Sequence, residues 1–401
     1  MPRLFGTDGV RGIANAELTP ELAFRLGEAA GHFLGDRGRG RVVVGKDTRR
    51  SGDMLEAALV AGICSGGADA LTCGIVPTPA VAFLTRQLGA EGGIVISASH
   101  NPAEYNGIKF FNRDGFKLPD EIEDEIGTFV EDEGPAFVRP TGLAVGRVHP
   151  VRDAVERYVA HAVSTVPDGL AGLTVALDCA HGAAARTSER ALRELGAEVV
   201  AINCNWNGMD INDGCGSTDL GALRELVRQS GAHLGLAHDG DADRVLAVDE
   251  SGAEVDGDQI IAVCAAQMKS KGLLPHDTVV GTAMTNLGFE VAMRELGVTT
   301  IKTKVGDRYV LDQMRTIGAM LGGEQSGHII FLEHGTTGDG LVTGLQLAVV
   351  MKATGRPLSE LTTVMKRYPQ LLVNVRVADK SRLSTSSVLA EAIETAEREL
   401  G

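Results

Sequence analysis

The chain has 401 residues, 44% of them hydrophobic, and its 38 basic and 53 acidic side chains give a formal charge of −15. That length and apolar content suit about two to three domains with packed cores, and the acidic balance excludes a general nucleic-acid or membrane-surface partner, which it would repel at long range. No apolar signal core opens the chain, no run reaches the length of a membrane span, and Cys64, Cys73, Cys179, Cys204, Cys215 and Cys264 show no metal-ligand spacing, so a cytoplasmic protein with reduced thiols is expected.

After a Gly-rich opening, Thr19-Pro20-Glu21 marks a helix start: a capping hydroxyl, proline at the first helical position, then an acid facing the helix dipole. This helix should run to about His32. Val42-Val43-Val44 reads as a buried strand, followed by a polar loop over 45–50 and a helix from near Ser51. A short strand over Ala70 to Cys73 and a helix over Pro79 to Leu88 come next. Then the β-branched run Ile94-Val95-Ile96 stops at Ser97-Ala98-Ser99-His100-Asn101-Pro102. Proline has no N–H for a ladder and Asn-Pro is a turn signal, so a polar loop begins where the strand ends and delivers a serine hydroxyl. Open α/β sheets gather ligands at such strand ends. An ordinary strand-to-turn junction, with the serines bonding local backbone, is the alternative.

A helix–turn–strand pattern recurs at 188–202 and 289–302, with Arg-Glu-Leu-Gly in phase at 193–196 and 294–297; Cys64 to Leu71 repeats it more loosely. An offset of roughly one hundred residues is one domain's worth. The expectation is α/β architecture in three tandem related domains, 1–150, 151–250 and 251–366, with mixed or parallel sheets around a central cleft. A strand over Leu371 to Val377 and a helix from about Thr385 would begin an incomplete fourth α+β domain over 367–401.

The sharpest chemical signal is His238-Asp239-Gly240-Asp241-Ala242-Asp243-Arg244 between two apolar strands. Three carboxylates so close repel one another, and their oxygens are the hard ligands that Mg²⁺ and Ca²⁺ prefer. With Glu250 they also fit the first, third, fifth and twelfth places of an EF-hand, but Arg244 stands where that loop needs glycine and the flanks read as strands. Arg11, Lys109, Lys304 and Arg308 supply positive charge. A nucleophile, a cation site and neutralising charges are the parts phosphoryl transfer requires. Gly323-Glu324-Gln325-Ser326-Gly327-His328 reads as a plain turn or as a reader of sugar hydroxyls.

Four of these stretches, in order, resemble the α-D-phosphohexomutases over essentially the whole chain: Arg3 to Gly12, Ser97 to Pro102, Asp239 to Arg244, and Gly323 to His328. The resemblance implies that Ser99 is the phosphorylated serine and that Asp239, Asp241 and Asp243 hold one Mg²⁺ together with its phosphate. It also implies acid/base or electrostatic roles for Lys109 and His328, phosphate contacts for Arg11 and Arg244, and sugar contacts for Glu324 and Ser326, with Lys304 and Arg308 as further substrate-binding cations. A sugar bisphosphate would be the activator.

Gln325 and the segment Ile211 to Thr218 are similar to the members acting on glucosamine phosphates, although Asp219 stands where that segment usually has histidine. The expected reaction is interconversion of glucosamine 6-phosphate and glucosamine 1-phosphate. Rival readings are a mutase for mannose or glucose phosphates, a metal-dependent phosphatase, and a binding protein weakened in catalysis; a homodimer is left open. The family's last domain ordinarily carries an Arg/Ser/Gly/Thr-rich phosphate loop. The sequence reaches Gly401 without one, and Lys380 and Arg382 are too few to replace it, so very low mutase activity is expected of these 401 residues.

Overall fold

The computed structural model describes residues 4–6, 8–34, 40–131, 138–371, 373, 375, 377 and 385–400. Two compact units emerge, Met1–Arg367 and Tyr368–Gly401. In the first, the chain builds three sheets in succession.

The first sheet has six strands, in spatial order Val10–Ile13, Tyr105–Asn112, Gly92–Ile96, Arg41–Lys46, Asp69–Ile75 and Val148–Pro150. The last four run parallel, and Tyr105–Asn112 is antiparallel to both its neighbours. Its central strands are apolar on both faces because both are covered. Val43 and Val95 face one core, while Val42, Val44, Ile94 and Ile96 face the other. Each such side chain removed from water contributes about 1.5–3 kcal/mol. The helix expected from Thr19 spans Pro20–Phe33, and Thr19 Oγ1 accepts from the Leu22 N–H at 3.3 Å.

The second sheet orders Glu254–Val255, Val245–Asp249, Leu234–His238, Thr174–Asp178 and Glu198–Ile202; the third orders Thr299–Thr303, Thr278–Thr282, Leu321–Gly323 and Ile329–Phe331. Each joins parallel strands to antiparallel ones at one edge. The Asp249-to-Gly252 turn, expected near a domain boundary, is a hairpin inside the second sheet, which continues to Val255.

The internal repeat is structural. At Gly67, Gly196 and Gly297 the backbone is left-handed, with φ of 93°, 86° and 67°. The following N–H reaches five residues back at each: Ala68 to Ile63 O, Ala197 to Leu192 O and Val298 to Met293 O, at 3.2, 3.0 and 2.7 Å. This glycine stop satisfies a last-turn carbonyl and turns the chain into the next strand. One apolar core runs from Val43 and Val95 through Leu177 and Leu236 to Val279 and Leu321, so the loops at the strand ends are held against each other. The cysteines are free, and two distant in sequence, Cys179 and Cys204, meet at their thiols.

In the second unit the helix spans Ser387–Leu400. The strand expected over 371–377 falls in part outside the described residues, as do Lys380 and Arg382.

Candidate active site

Ser99 lies just past the Gly92–Ile96 strand, and the acidic loop joins the antiparallel strands Leu234–His238 and Val245–Asp249. The two loops meet. Ser99 Oγ donates to Asp239 Oδ2 at 2.6 Å and lies 3.3 Å from His100 Nδ1, and Ser99 itself is buried in the left-handed region at φ 52°. Asp239, Asp241 and Asp243 are buried, each offering an oxygen within 4.8 Å of the others'. Thr78 ties the loop to the first sheet, its Oγ1 donating to Asp241 Oδ2 at 2.6 Å and its N–H to Asp241 O at 2.9 Å.

Lys109, mid-strand opposite Val95, projects into the cluster. Its Nζ is 3.0 Å from Asp241 Oδ2, 3.1 Å from Asp8 Oδ2 and 3.5 Å from Asp243 Oδ2. Burial alone would drive its proton off, but Asp241, Asp8 and Asp243 outweigh that and hold its pKa well above the usual lysine range. The carboxylates divide in response. Burial, reinforced by Asp243 and Asp241, raises Asp239 well above its ordinary value; for Asp243 burial is overcome by Lys109 and His328, and its pKa falls far below.

His328, immediately before the Ile329–Phe331 strand, brings in the third sheet. Its Nδ1 is 3.7 Å from Asp243 Oδ2 and its Nε2 3.5 Å from Asp307 Oδ2. Burial opposes its protonation, while Asp243 and Asp307 favour it and shift its pKa upward; Nε2 nevertheless accepts the Gly338 N–H at 3.1 Å, which places the ring's N–H on Nδ1 toward Asp243. Arg11 is bound to Asp8, and Arg244 Nε lies 3.7 Å from Asp243 Oδ1. Burial lowers Arg244, but Asp243, Asp239 and Glu324 together raise it.

The remaining expected residues are less central. Glu324 Oε1 accepts from the Gly306 N–H at 3.0 Å, and Ser326 is exposed at the same loop's tip. Lys304 is exposed, its ammonium 5.9 Å from the Tyr309 ring centre. Arg308 turns away from the triad to Asp120, Glu123 and the Leu118 carbonyl, tying the third sheet's domain to the first.

Sequence spacing missed Asp8, Lys117 and Asp307. Lys117 joins Asp8 to Asp307, so these three link Arg11 and Lys109 to His328. Asp8 sits inside the opening motif and was in principle findable there; Lys117 is a loop lysine with no distinguishing pattern.

The triad fits a hard divalent cation: three oxygens converge, and Asp241 Oδ1 and Asp243 Oδ1 are buried without a hydrogen-bond partner. Three α/β domains presenting a serine, a carboxylate triad and buried cations define a metal-assisted phosphoryl-transfer enzyme. The three α/β/α domain models of the phosphoglucomutase/phosphomannomutase family match residues 2–136, 156–252 and 256–368. The chain belongs to this family, the α-D-phosphohexomutases. It is 58% identical to the phosphoglucosamine mutase of Pelotomaculum thermopropionicum, over 98% of this chain and 89% of that one. With the phosphoglucosamine mutase of Streptomyces griseus it shares 57% identity over 100% of this chain and 90% of the relative. The crystal structure of a phosphoglucomutase/phosphomannomutase family protein from Burkholderia thailandensis superposes with a TM-score of 0.78 at 27% identity, covering 89% of this chain and 79% of that one.

Proposed function

We propose that this enzyme interconverts glucosamine 6-phosphate and glucosamine 1-phosphate, with Ser99 as the phosphoryl carrier. The observation that carries the chemistry is the Ser99 hydroxyl 2.6 Å from Asp239 in a buried carboxylate triad faced by Lys109. The amino sugar is supported by the names of relatives at 57–58% identity.

In the forward half-reaction the phosphoryl group on Ser99 passes to the free sugar hydroxyl. The bond from phosphorus to Ser99 Oγ breaks as the new one forms; the sugar hydroxyl gives up its proton and the released Ser99 Oγ takes one up, which it directs to Asp239, giving a bisphosphate. After that sugar turns round, its other phosphoryl group returns to Ser99 Oγ and the proton exchange runs in reverse. Asp239, Asp241 and Asp243 would hold Mg²⁺, which supplies charge neutralisation at the phosphoryl oxygens. Lys109, buried beside the triad, is placed to set positive charge against those oxygens. His328, whose Nε2 accepts the Gly338 N–H, carries its N–H at Nδ1 toward Asp243 and serves as a second positioned donor in the site. Arg11 and Arg244 face the incoming phosphate, and Glu324 and Ser326 lie on the loop that faces the sugar. A sugar bisphosphate would first load Ser99. A cytoplasmic setting accords with six free cysteines and with the absence, among the described residues, of any helix long and apolar enough to cross a membrane.

The test combines intact mass with turnover. One added phosphoryl group mapped to Ser99, and a higher rate with glucosamine 6-phosphate than with glucose or mannose phosphates, are expected. Release of inorganic phosphate in place of an isomerised sugar would point to a phosphatase instead.

A further inference from the structure

The backbone around Ser99 is held from two sides by side chains outside the acidic triad. On one side is Arg49, buried beneath the loop. Its Nη2 donates to Ser99 O at 2.9 Å and to Asn101 O at 2.7 Å; its Nη1 donates to Tyr105 O at 3.0 Å and to Pro102 O. Asp47 fixes the guanidinium, accepting from Nε at 2.9 Å, and also accepts from Ser97 Oγ at 2.6 Å. Ser97 Oγ in turn accepts the Ser99 N–H at 2.9 Å.

On the other side is Asn212, from the second sheet's domain. Its Nδ2 donates to the same two carbonyls, Ser99 O at 2.9 Å and Asn101 O at 3.1 Å. Its own backbone is left-handed at φ 61° and anchored by its N–H on Ala180 O at 3.1 Å. The acidic loop closes over the pair: a Cβ on Gly240 would lie 2.7 Å from Ser99 O and 2.9 Å from Asn212 Nδ2. Two carbonyls each take a donor from both flanks.

We propose that Arg49 and Asn212 are positioning residues that clamp the Ser99 and Asn101 carbonyls, holding Ser99 at positive φ so that its Oγ faces Asp239. This rests on the reading of Ser99 as phosphoryl carrier. A serine pays conformational energy at positive φ and keeps that state only where its surroundings over-determine it. Four donor contacts on two carbonyls of the same turn, those of Ser99 and Asn101, supply that over-determination. Without them the peptide relaxes and Oγ leaves the line of transfer, and a displacement of about 1 Å costs on the order of 10²-fold in rate. The segment Ile211 to Thr218, which sequence likeness tied only to the choice of sugar, thereby acquires a part in the phosphoryl geometry.

The experiment is single-turnover loading of the full chain with glucose 1,6-bisphosphate and Mg²⁺, followed by intact-mass spectrometry. Asn212→Asp keeps the shape but turns a donor into an acceptor against two carbonyls; Asn212→Ala removes the donor without adding charge; Arg49→Lys replaces a planar fork by a point charge that cannot span four carbonyls. Loading by Asn212→Asp should slow about 10²-fold while the half-saturating bisphosphate and Mg²⁺ concentrations stay unchanged, with Asn212→Ala intermediate. Wild-type loading rates in Asn212→Ala and Arg49→Lys would overturn the clamp. So would slowing matched by weaker bisphosphate and Mg²⁺ binding, the mark of a general structural loss. Failure of the wild type to gain phosphate at Ser99, with another residue loaded instead, would sink the reading of Ser99 itself.

Discussion

Lys109→Met removes a buried ammonium while keeping the length and apolar stem of the side chain. In the wild type that ammonium lies 3.0, 3.1 and 3.5 Å from Asp241, Asp8 and Asp243. Taking away one partner of a buried ion pair leaves uncompensated charge and costs roughly 3–5 kcal/mol, which for the Met1–Arg367 unit, at about 2.1 cal/mol/K of unfolding entropy per residue, lowers the melting temperature by about 4–6 °C. The lost charge has a natural substitute. A dication bound by the triad neutralises the same carboxylates, so Mg²⁺ should raise the variant's melting temperature by more than it raises the wild type's. Differential scanning calorimetry of both proteins, in chelator and then in Mg²⁺, measures the two effects. Coincident melting in chelator, or an equal Mg²⁺ gain in both, would refute the claim that Lys109 neutralises this cluster.

Ser99→Ala should reduce phosphoryl transfer to background with the fold intact and a small fall in melting temperature, since Asp239 loses a buried donor, whereas Ser97→Ala should retain turnover at a rate lowered about 10- to 100-fold, since it removes the bonds to the Ser99 N–H and to Asp47; steady-state kinetics on both variants decides, and the opposite ranking would move the nucleophile to Ser97. Asp241→Asn should raise the Mg²⁺ concentration needed for half-maximal activity, because one anionic ligand becomes a neutral amide, and full activity in excess chelator would remove the metal from the mechanism. Asp258 is buried with its carboxyl pushed up to about 7, by burial first, although it accepts the Asn286 N–H at 2.7 Å. A raised folded-state pKa contributes stability below the unfolded value that is lost as pH rises through the folded one, so Asp258→Asn should melt higher than wild type at pH 8 and lose that advantage near pH 4. Melting curves across that range check it, and a pH-independent difference would exclude the carboxyl as its source.

Some of this was legible in the sequence because it is local. The valines at 42–44 and the β-branched run at 94–96 specify buried strands, Thr19-Pro20 specifies a helix start, and the phased Arg-Glu-Leu-Gly copies mark a repeated unit whose glycine stop the structure shows in the same form at 67, 196 and 297. The alternating aspartates announced an acidic loop for the same reason: three like charges within five residues are close in any conformation. What no local pattern contains is which charges meet across the three sheets. Lys109 could as well have been a solvated strand lysine; only the pairing of its strand with Gly92–Ile96, and the packing of the second sheet's hairpin against it, bury its ammonium among Asp8, Asp241 and Asp243. Arg308 shows the opposite outcome, with equal charge and a promising position but a guanidinium spent on Asp120 and Glu123. Secondary structure follows from neighbours in sequence, whereas the protonation and partners of a buried charge follow from the field of everything packed around it, which exists only once the sheets have assembled.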